Sequence, residues 1–310
     1  MHHSGRRAAP GERTRPEKTD SLAPALQQRL ERARMAAQQR AAIETLQLPL
    51  WPAIKRGTPN TFLRSALFCA IQSKDRQFLK EEVLASQEGI SVKFTGQQLN
   101  QEDLSLWETL VHMARDLPLG ELLTCSAHSI LMAQGLPTGG EQHKQLHSAI
   151  IRLQACSVEV TYEGKTYFGG LVKSGKKAAG KKVKGKPTSH YAIELNRELI
   201  KLYGENQWTA LDWDQRRRLA RKPLAQALHG YYSSHRNPFP VSFAFLQKIT
   251  GSRNRQASGF KRRCSEALQD LKEVGFLLSY NVVRDEKADS VEKEKVVVQR
   301  APPLALAAEG

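Results

Sequence analysis

LLTCSAHSILMAQGLPTGGEQHKQLHSAIIRLQACSVEVTYEGKTYFGGLV, residues 122–172, decides the fold. It begins as a strand, and Ser126 stands where a helix N-cap belongs, its hydroxyl placed to accept from an otherwise unpaired backbone N–H. The helix that follows closes at Gly135, the residue type that takes the left-handed conformation at a helix end. Leu136-Pro137-Thr138-Gly139-Gly140 is a turn. Residues 141–155 form a second helix with Leu146, Ala149, Ile150 and Leu153 on one face. Residues 157–172 then read as a hairpin turning at Glu163-Gly164-Lys165.

The same order returns further along. Val241 to Ile249 reads as a helix capped by Ser242 and ending at Gly251. Ser252-Arg253-Asn254-Arg255 is the turn. A longer helix runs to about Val274 with Phe260, Cys264, Ala267, Leu268 and Leu271 on one face. Residues 276–283 and 291–300 form the closing hairpin. With Gly135 placed on Gly251, Ser126 falls on Ser242; after the turn, Ala149 falls on Ala267 and Leu153 on Leu271. Residue identity between the copies is low, but the order of elements repeats. Helix, turn, helix and hairpin make a winged helix. The predicted fold class is α+β: two tandem winged-helix domains behind a disordered or marginally helical N-terminal extension.

Working outward, residues 1–22 are rich in Arg, Pro, Glu and Ser and read as a disordered tail. Residues 23–46 are good helix formers with a thin apolar stripe, Leu26, Leu30 and Met35. Residues 60–71 place Phe62, Leu63, Ala66, Leu67 and Ala70 on one helical face. A strand pair lies within 78–99. Asn100 is a predicted N-cap with Asp103 three residues on, opening a helix that carries Leu104, Trp107, Leu110, Val111 and Ala114. The predicted divisions are an extension over 1–46, a linker over 47–57, the first winged-helix domain over 58–204, the second over 205–300, and a tail over 301–310.

The 310 residues carry 47 Lys and Arg against 31 Asp and Glu, a formal net charge of +16. A surplus of that size points to a polyanion, and nucleic acid fits better than a membrane because no basic amphipathic anchor appears. No apolar run reaches the roughly 18 residues that span a bilayer. The N-terminus has no apolar core of a secretory signal. Cys69, Cys125, Cys156 and Cys264 form no C-x-x-C pair, which fits a reducing cytoplasm and argues against a zinc site.

The charge is placed where the fold would use it. SRNRQASGFKRR (252–263) holds five basic residues and no acid. The side of this helix away from Phe260 is free for DNA, and Arg is shaped for bidentate contact with guanine or phosphate. The candidate set is Ser252, Arg253, Asn254, Arg255, Ser258, Lys261, Arg262 and Arg263. On the first recognition helix the outward residues are Lys144, Gln145, Ser148 and Arg152. The segment 171–188 has seven lysines and no acid. It nearly matches a phosphate loop, but Lys182 stands where Ser or Thr should bind magnesium and a strand, not a helix, follows. Lys176, Lys177, Lys181, Lys182, Lys184 and Lys186 read instead as a wing on DNA phosphates. His143 and His147 have metal-ligand spacing without a third ligand, so neither metal nor cofactor is expected.

Enzymatic readings fare poorly. No G-x-S-x-G is present. Tyr231-Tyr232 near His235 resembles the paired tyrosines of rolling-circle nickases but lacks their His-hydrophobe-His strand, and the pair reads better as helix packing. One short motif remains: Gln47, Leu48, Leu50 and Trp51 have the form Gln-Leu-x-Leu-aromatic, which looks like the pentapeptide that replication proteins insert into the sliding clamp. Gln would anchor by hydrogen bonds while Leu50 and Trp51 fill an apolar pocket. A hydrophobic strap on the first domain is the other reading.

The chain resembles the TrfA-type replication initiators of broad-host-range plasmids. The matching stretches are LPLWP (48–52), PNTFLRSALF (59–68), ISVKFTGQQLNQEDLSLWE (90–108), QHKQLHSAIIRL (142–153), KTYFGGLV (165–172), KPLAQALHGYYSSH (222–235) and GSRNRQASGFKRRC (251–264). The resemblance implies a non-enzymatic initiator whose winged helices bind direct repeats (iterons) in a plasmid origin. It further implies opening of adjacent AT-rich DNA, contact with its single strands, and recruitment of the host replicative helicase, initiator and sliding clamp. A monomer–homodimer equilibrium held by the first domain is implied as well. A winged-helix transcriptional repressor is the alternative.

Overall fold

The computed structural model describes residues 28–35, 48–118, 120–180, 189–204, 206–254, 256–284 and 293–302. The chain divides into two units, Met1–Thr45 and Leu46–Gly310. In the first, helix α1 covers residues 28–35, every one of them exposed. The remainder of the expected extension, the 1–22 tail and residues 303–310 lie outside the described residues.

The second unit opens with β1 (Lys55–Pro59), α2 (Asn60–Leu63) and β2 (Phe68–Cys69). The helix expected over 60–71 is thus a single turn. Phe62, Leu63, Ala66 and Leu67 are buried as their pattern requires. The backbone, however, bonds outward: Ala66 N donates to Ala85 O and Ala70 N to Thr250 O, both at 2.7 Å. Long-range partners here override a helical periodicity.

Next come β3 (Phe78–Leu84), β4 (Ile90–Gln97), β5 (Leu99–Asn100) and α3 (Gln101–Ala114). The Asn100 side chain accepts from the backbone N–H groups of Glu102 and Asp103, and Asp103 answers the Asn100 N–H, a complete capping box. Leu104, Trp107, Leu110, Val111 and Ala114 are all buried.

The first helix pair follows: β6 (Leu123–Ser126), α4 (Ala127–Gln134) and α5 (Gly140–Ala155). Ser126 caps α4 through Ser129 N, and Gly135 ends it at φ 72°. Then come β7 (Ser157–Tyr162), β8 (Lys165–Gly169), β9 (Val172–Ala179), β10 (Ser189–Leu195) and α6 (Arg197–Ile200). β11 (Trp208–Asp212) and α7 (Trp213–Arg218) lead to α8 (Pro223–Ser233). The second pair is β12 (Val241–Ser242), α9 (Phe243–Ile249) and α10 (Ala257–Glu273), closed by β13 (Leu277–Arg284) and β14 (Glu294–Arg300).

Sheet order makes the repeat clear and corrects one expectation. β12 pairs with β14, and β14 with β13. In the first copy β6 pairs with β10, and β10 with β9. The closing hairpin of the first copy is therefore β9–β10, not residues 157–172. That earlier hairpin, β7–β8, is an insertion carried into another sheet, in the order β3-β4-β7-β8. Its alternating pattern, with Val158 and Val160 buried, found a partner in β4 rather than in β6. β1–β11 and the parallel pair β2–β5 complete the sheets.

Two apolar cores result, one from Leu48 to Leu211 and one from Leu219 to Val298. The chain crosses between them at α7. Within this unit they are fastened by polar contacts. Arg64 donates to Ser234 Oγ at 3.0 Å, and His235 Nε2 lies 2.9 Å from Gln87 Oε1. Arg216 bonds Gln101 on one side and Gln226 O on the other.

Buried histidines give the fold an acid limit. Burial, then Arg56 and Arg115, pull His112 from 6.5 to about 3; burial, then Arg216, do the same to His229. The unfolded chain binds these protons near pH 6.5 and the native chain does not, so stability is full above pH 6.5 and falls as pH drops toward 3. Urea unfolding at stepped pH is expected to show this decline below pH 6.5, and His112→Gln with His229→Gln together should flatten it.

Candidate nucleic-acid interface

The second helix pair is built around a tight turn. Ser242 caps α9 by accepting from Phe245 N at 3.1 Å. Gly251 takes φ 60°, and a Cβ there would lie 2.8 Å from Cys69 Sγ, so the turn rests directly on β2. Phe260, Cys264, Ala267, Leu268 and Leu271 seat α10 on the core, as the pattern predicts. Ser258, Arg262 and Arg263 are exposed beside them.

Other members of the predicted set are engaged. Arg253 turns away from the helix face and donates to Asp75 O and Gln98 Oε1, across to the first core. Lys261 pairs with Glu294 on β14 at 2.7 Å and lies over the Phe243 ring. Asn254 is folded into the turn: its carbonyl accepts from Gln247, and its side chain lies against Gly259. Ser252 N donates to Gln247 O at 3.2 Å. Arg255 lies outside the described residues.

On the first helix pair, Lys144, Gln145 and Ser148 are exposed along α5. Arg152 is the exception: it pairs with an acid inside the fold. Its guanidinium grips the fully buried Asp103, Nη2 at 2.7 Å from Oδ1 and Nε at 3.1 and 3.2 Å from Oδ1 and Oδ2. Arg76 takes the same carboxylate at 2.8 Å. A 100° rotation per residue put Arg152 on the outer face, but its long stem reaches back to the α3 cap. His147 stands 5.9 Å from the Tyr191 ring, its pKa lowered by burial and by Lys177. Among the described residues no group of His, Cys, Asp or Glu could hold a metal.

Lys176 and Lys177 are exposed on β9, the edge strand of the β6-β10-β9 sheet, with Lys177 Nζ 6.0 Å from the Tyr191 ring centre. Lys181, Lys182, Lys184 and Lys186 lie outside the described residues. In sequence they fall between β9 and β10.

The Gln47–Trp51 motif is divided. Gln47 lies outside the described residues. Leu48 and Trp51 are buried in the first core, and only Leu50 is exposed. Trp51 Nε1 donates to His112 Nδ1 at 2.9 Å, and its ring stacks on Tyr203 and leans on Trp208. A Cβ on Gly57 would strike that ring at 2.6 Å. This is the strap reading made concrete.

The fold belongs to a class already seen in a solved structure. Domains 2 and 3 of RctB superpose with a TM-score of 0.51 at 12% identity, covering 78% of this chain and 98% of that one. The chain belongs to the TrfA protein family, whose model matches residues 17–290. A curated relative, the plasmid replication initiator protein TrfA of Escherichia coli, is 25% identical over 243 residues. The match covers 76% of this chain and 63% of that relative's length.

Arg152→Ala would leave a buried carboxylate short of a partner. It should cost about 3–5 kcal/mol in denaturant unfolding, whereas Arg262→Ala, at the surface, should stay within about 0.5 kcal/mol.

Proposed function

We propose that this chain is a plasmid replication initiator that binds direct repeats in its origin through two winged-helix units. The observation that carries the reading is the repeated architecture: strand, helix pair and two-stranded wing occur twice, each with exposed basic residues beside its second helix. Family membership adds the biological frame. α10 would lie in a major groove with Arg262 and Arg263 facing the DNA, and α5 would present Lys144, Gln145 and Ser148. Lys176 and Lys177, with Lys181, Lys182, Lys184 and Lys186 between β9 and β10 in sequence, would hold phosphates, adding affinity without reading sequence.

The role is binding, in the cytoplasm, rather than catalysis. Bound repeats would position the protein to open adjacent AT-rich DNA, hold its single strands and recruit the host helicase and initiator. The host sliding clamp is a further partner through Gln47, Leu48, Leu50 and Trp51, and that contact requires Trp51 to leave its box of His112, Tyr203 and Trp208. A monomer–homodimer equilibrium through the first unit completes the proposal.

Footprinting on the DNA flanking the gene tests the reading. Protection of several direct repeats, spaced near multiples of about 10–10.5 bp, is the expected result. One inverted repeat over a promoter would replace it with a repressor. Within the repeats, Arg262→Ala should weaken binding by about 1–3 kcal/mol, and Lys176→Ala should lower the salt slope by about 1.

A further inference from the structure

The two helix pairs are closed by segments of opposite charge. Residues 171–188, which close the first, hold seven lysines and no acid. Residues 284–295, which close the second, hold five acids against four bases. A segment of that composition is a poor neighbour for DNA phosphates. Yet α10 displays Arg262 and Arg263. Further basic charge beside α10 comes instead from the first core.

A cleft of about 730 Å³ lies between the two. Gln72, Asp75 and Gln77 of the first core line it, with Arg253, Asn254 and Arg263 of the second helix pair. The first-core wall is a single 3₁₀ turn, Ser73–Asp75. That turn is held from within. Ser73 Oγ donates to Glu102 at 2.6 Å and accepts from Asn100 Nδ2 at 3.3 Å. Arg76 Nε donates to Gln98 O at 3.1 Å, and its Nη2 lies 2.8 Å from the buried Asp103. Arg253 then donates to Asp75 O and to Gln98 Oε1. The turn is thus fastened both to the α3 cap and to the segment that leads into α10.

What the turn displays is Lys74, exposed and in no ion pair among the described residues. It is next in sequence to the carbonyl that Arg253 holds. Arg253 spends its hydrogen bonds on neutral oxygens, so its charge is not cancelled. Two other residues of the cleft, Lys222 and Asp270, cancel each other at 2.6 Å. Lys74, Arg253 and Arg263 remain, against Asp75 and Glu266. A lysine is a compact point charge that holds a phosphate without reading a base.

We propose that the Ser73–Asp75 turn is a further DNA contact, in which Lys74 of the first core holds a backbone phosphate of the half-site that α10 enters. The proposal rests on the DNA-binding reading above and adds to it a residue outside both helix pairs and both closing hairpins.

Binding of the full chain to its footprinted repeat and to an unrelated duplex, over a range of salt, tests it. Lys74→Ala should weaken both by a similar factor, about five- to tenfold at low salt, and lower the salt slope by about 1. Asp75→Asn should tighten both, because a like charge leaves the path of the backbone. Both side chains are exposed, so circular dichroism should not change. Placement is read separately. The four native cysteines are buried, so Lys74→Cys can carry a photo-crosslinker. It should attach to the half-site whose protection Arg262→Ala diminishes. Attachment elsewhere or none, or unchanged affinity and salt slope in both charge variants, overturns the contact while leaving repeat binding in place. A wild-type chain that protects no repeat overturns the DNA reading as well.

Discussion

The Arg216 guanidinium stands where the chain passes from one core to the other, and both cores depend on it. Its Nε lies 2.8 Å from Glu108, in the middle of α3, and both side chains are almost wholly excluded from water. Thr58 donates to the same carboxylate from β1 at 2.8 Å. The remaining guanidinium N–H groups reach Gln101 and the carbonyl of Gln226. One charge thus binds the strand that opens the first core, the helix at its centre and the helix that begins the second. Such a pair adds little net stability over apolar packing, but losing one partner strands a buried charge at about 3–5 kcal/mol. Its consequence is geometric: α3, α7 and α8 meet in one arrangement.

That constraint separates what the sequence reveals from what it conceals. Caps and closing turns are local, and they were legible: Ser126, Ser242, Asn100, Gly135 and Gly251 stand where their chemistry predicts. The amphipathic helices α3, α5 and α10 were legible for the same reason, since burial of one face is written in the spacing. Pairing across distance was not. Residues 157–169 alternate as a strand should, but alternation does not name a partner, and they pair with β4 instead of serving as the closing hairpin. Residues 60–71 have helical spacing, yet Ala85 and Thr250, far along the chain, claim their backbone donors. Sequence predicts elements well and their neighbours poorly when several strands carry the same pattern.

The candidate site shows a related gap. A basic side chain looks available in sequence whether it faces solvent or a buried carboxylate. Arg152 and Arg76 serve Asp103, Arg216 serves Glu108, Lys261 serves Glu294, and Arg253 ties its turn to the first core. The net charge of +16 therefore overstates what is displayed around the two helix pairs. The acids that answer these bases sit on other elements, Asp103 on α3 and Glu294 on β14, beyond the reach of any periodicity argument.

What is left exposed is smaller and better defined, and its rigidity matters more than its size. Lys144, Gln145 and Ser148 ride on α5; Ser258, Arg262 and Arg263 ride on α10. Two binding modules on a flexible tether would each lose orientational freedom on reaching DNA. If both helix pairs bind as proposed, two modules fixed by a buried ion pair have lost most of it during folding, so the second would engage at high effective concentration once the first is seated. In that reading the same fixity would be a filter. DNA that suits one helix but places its second contact at the wrong distance or rotation would gain only half the interface. Arg253 sharpens the filter further, because the turn leading into α10 is held by Asp75 and Gln98 of the other core. Any sequence preference α10 has in the proposed reading would in this way be coupled to the position of the first core, although Arg253 itself is held by that core rather than displayed.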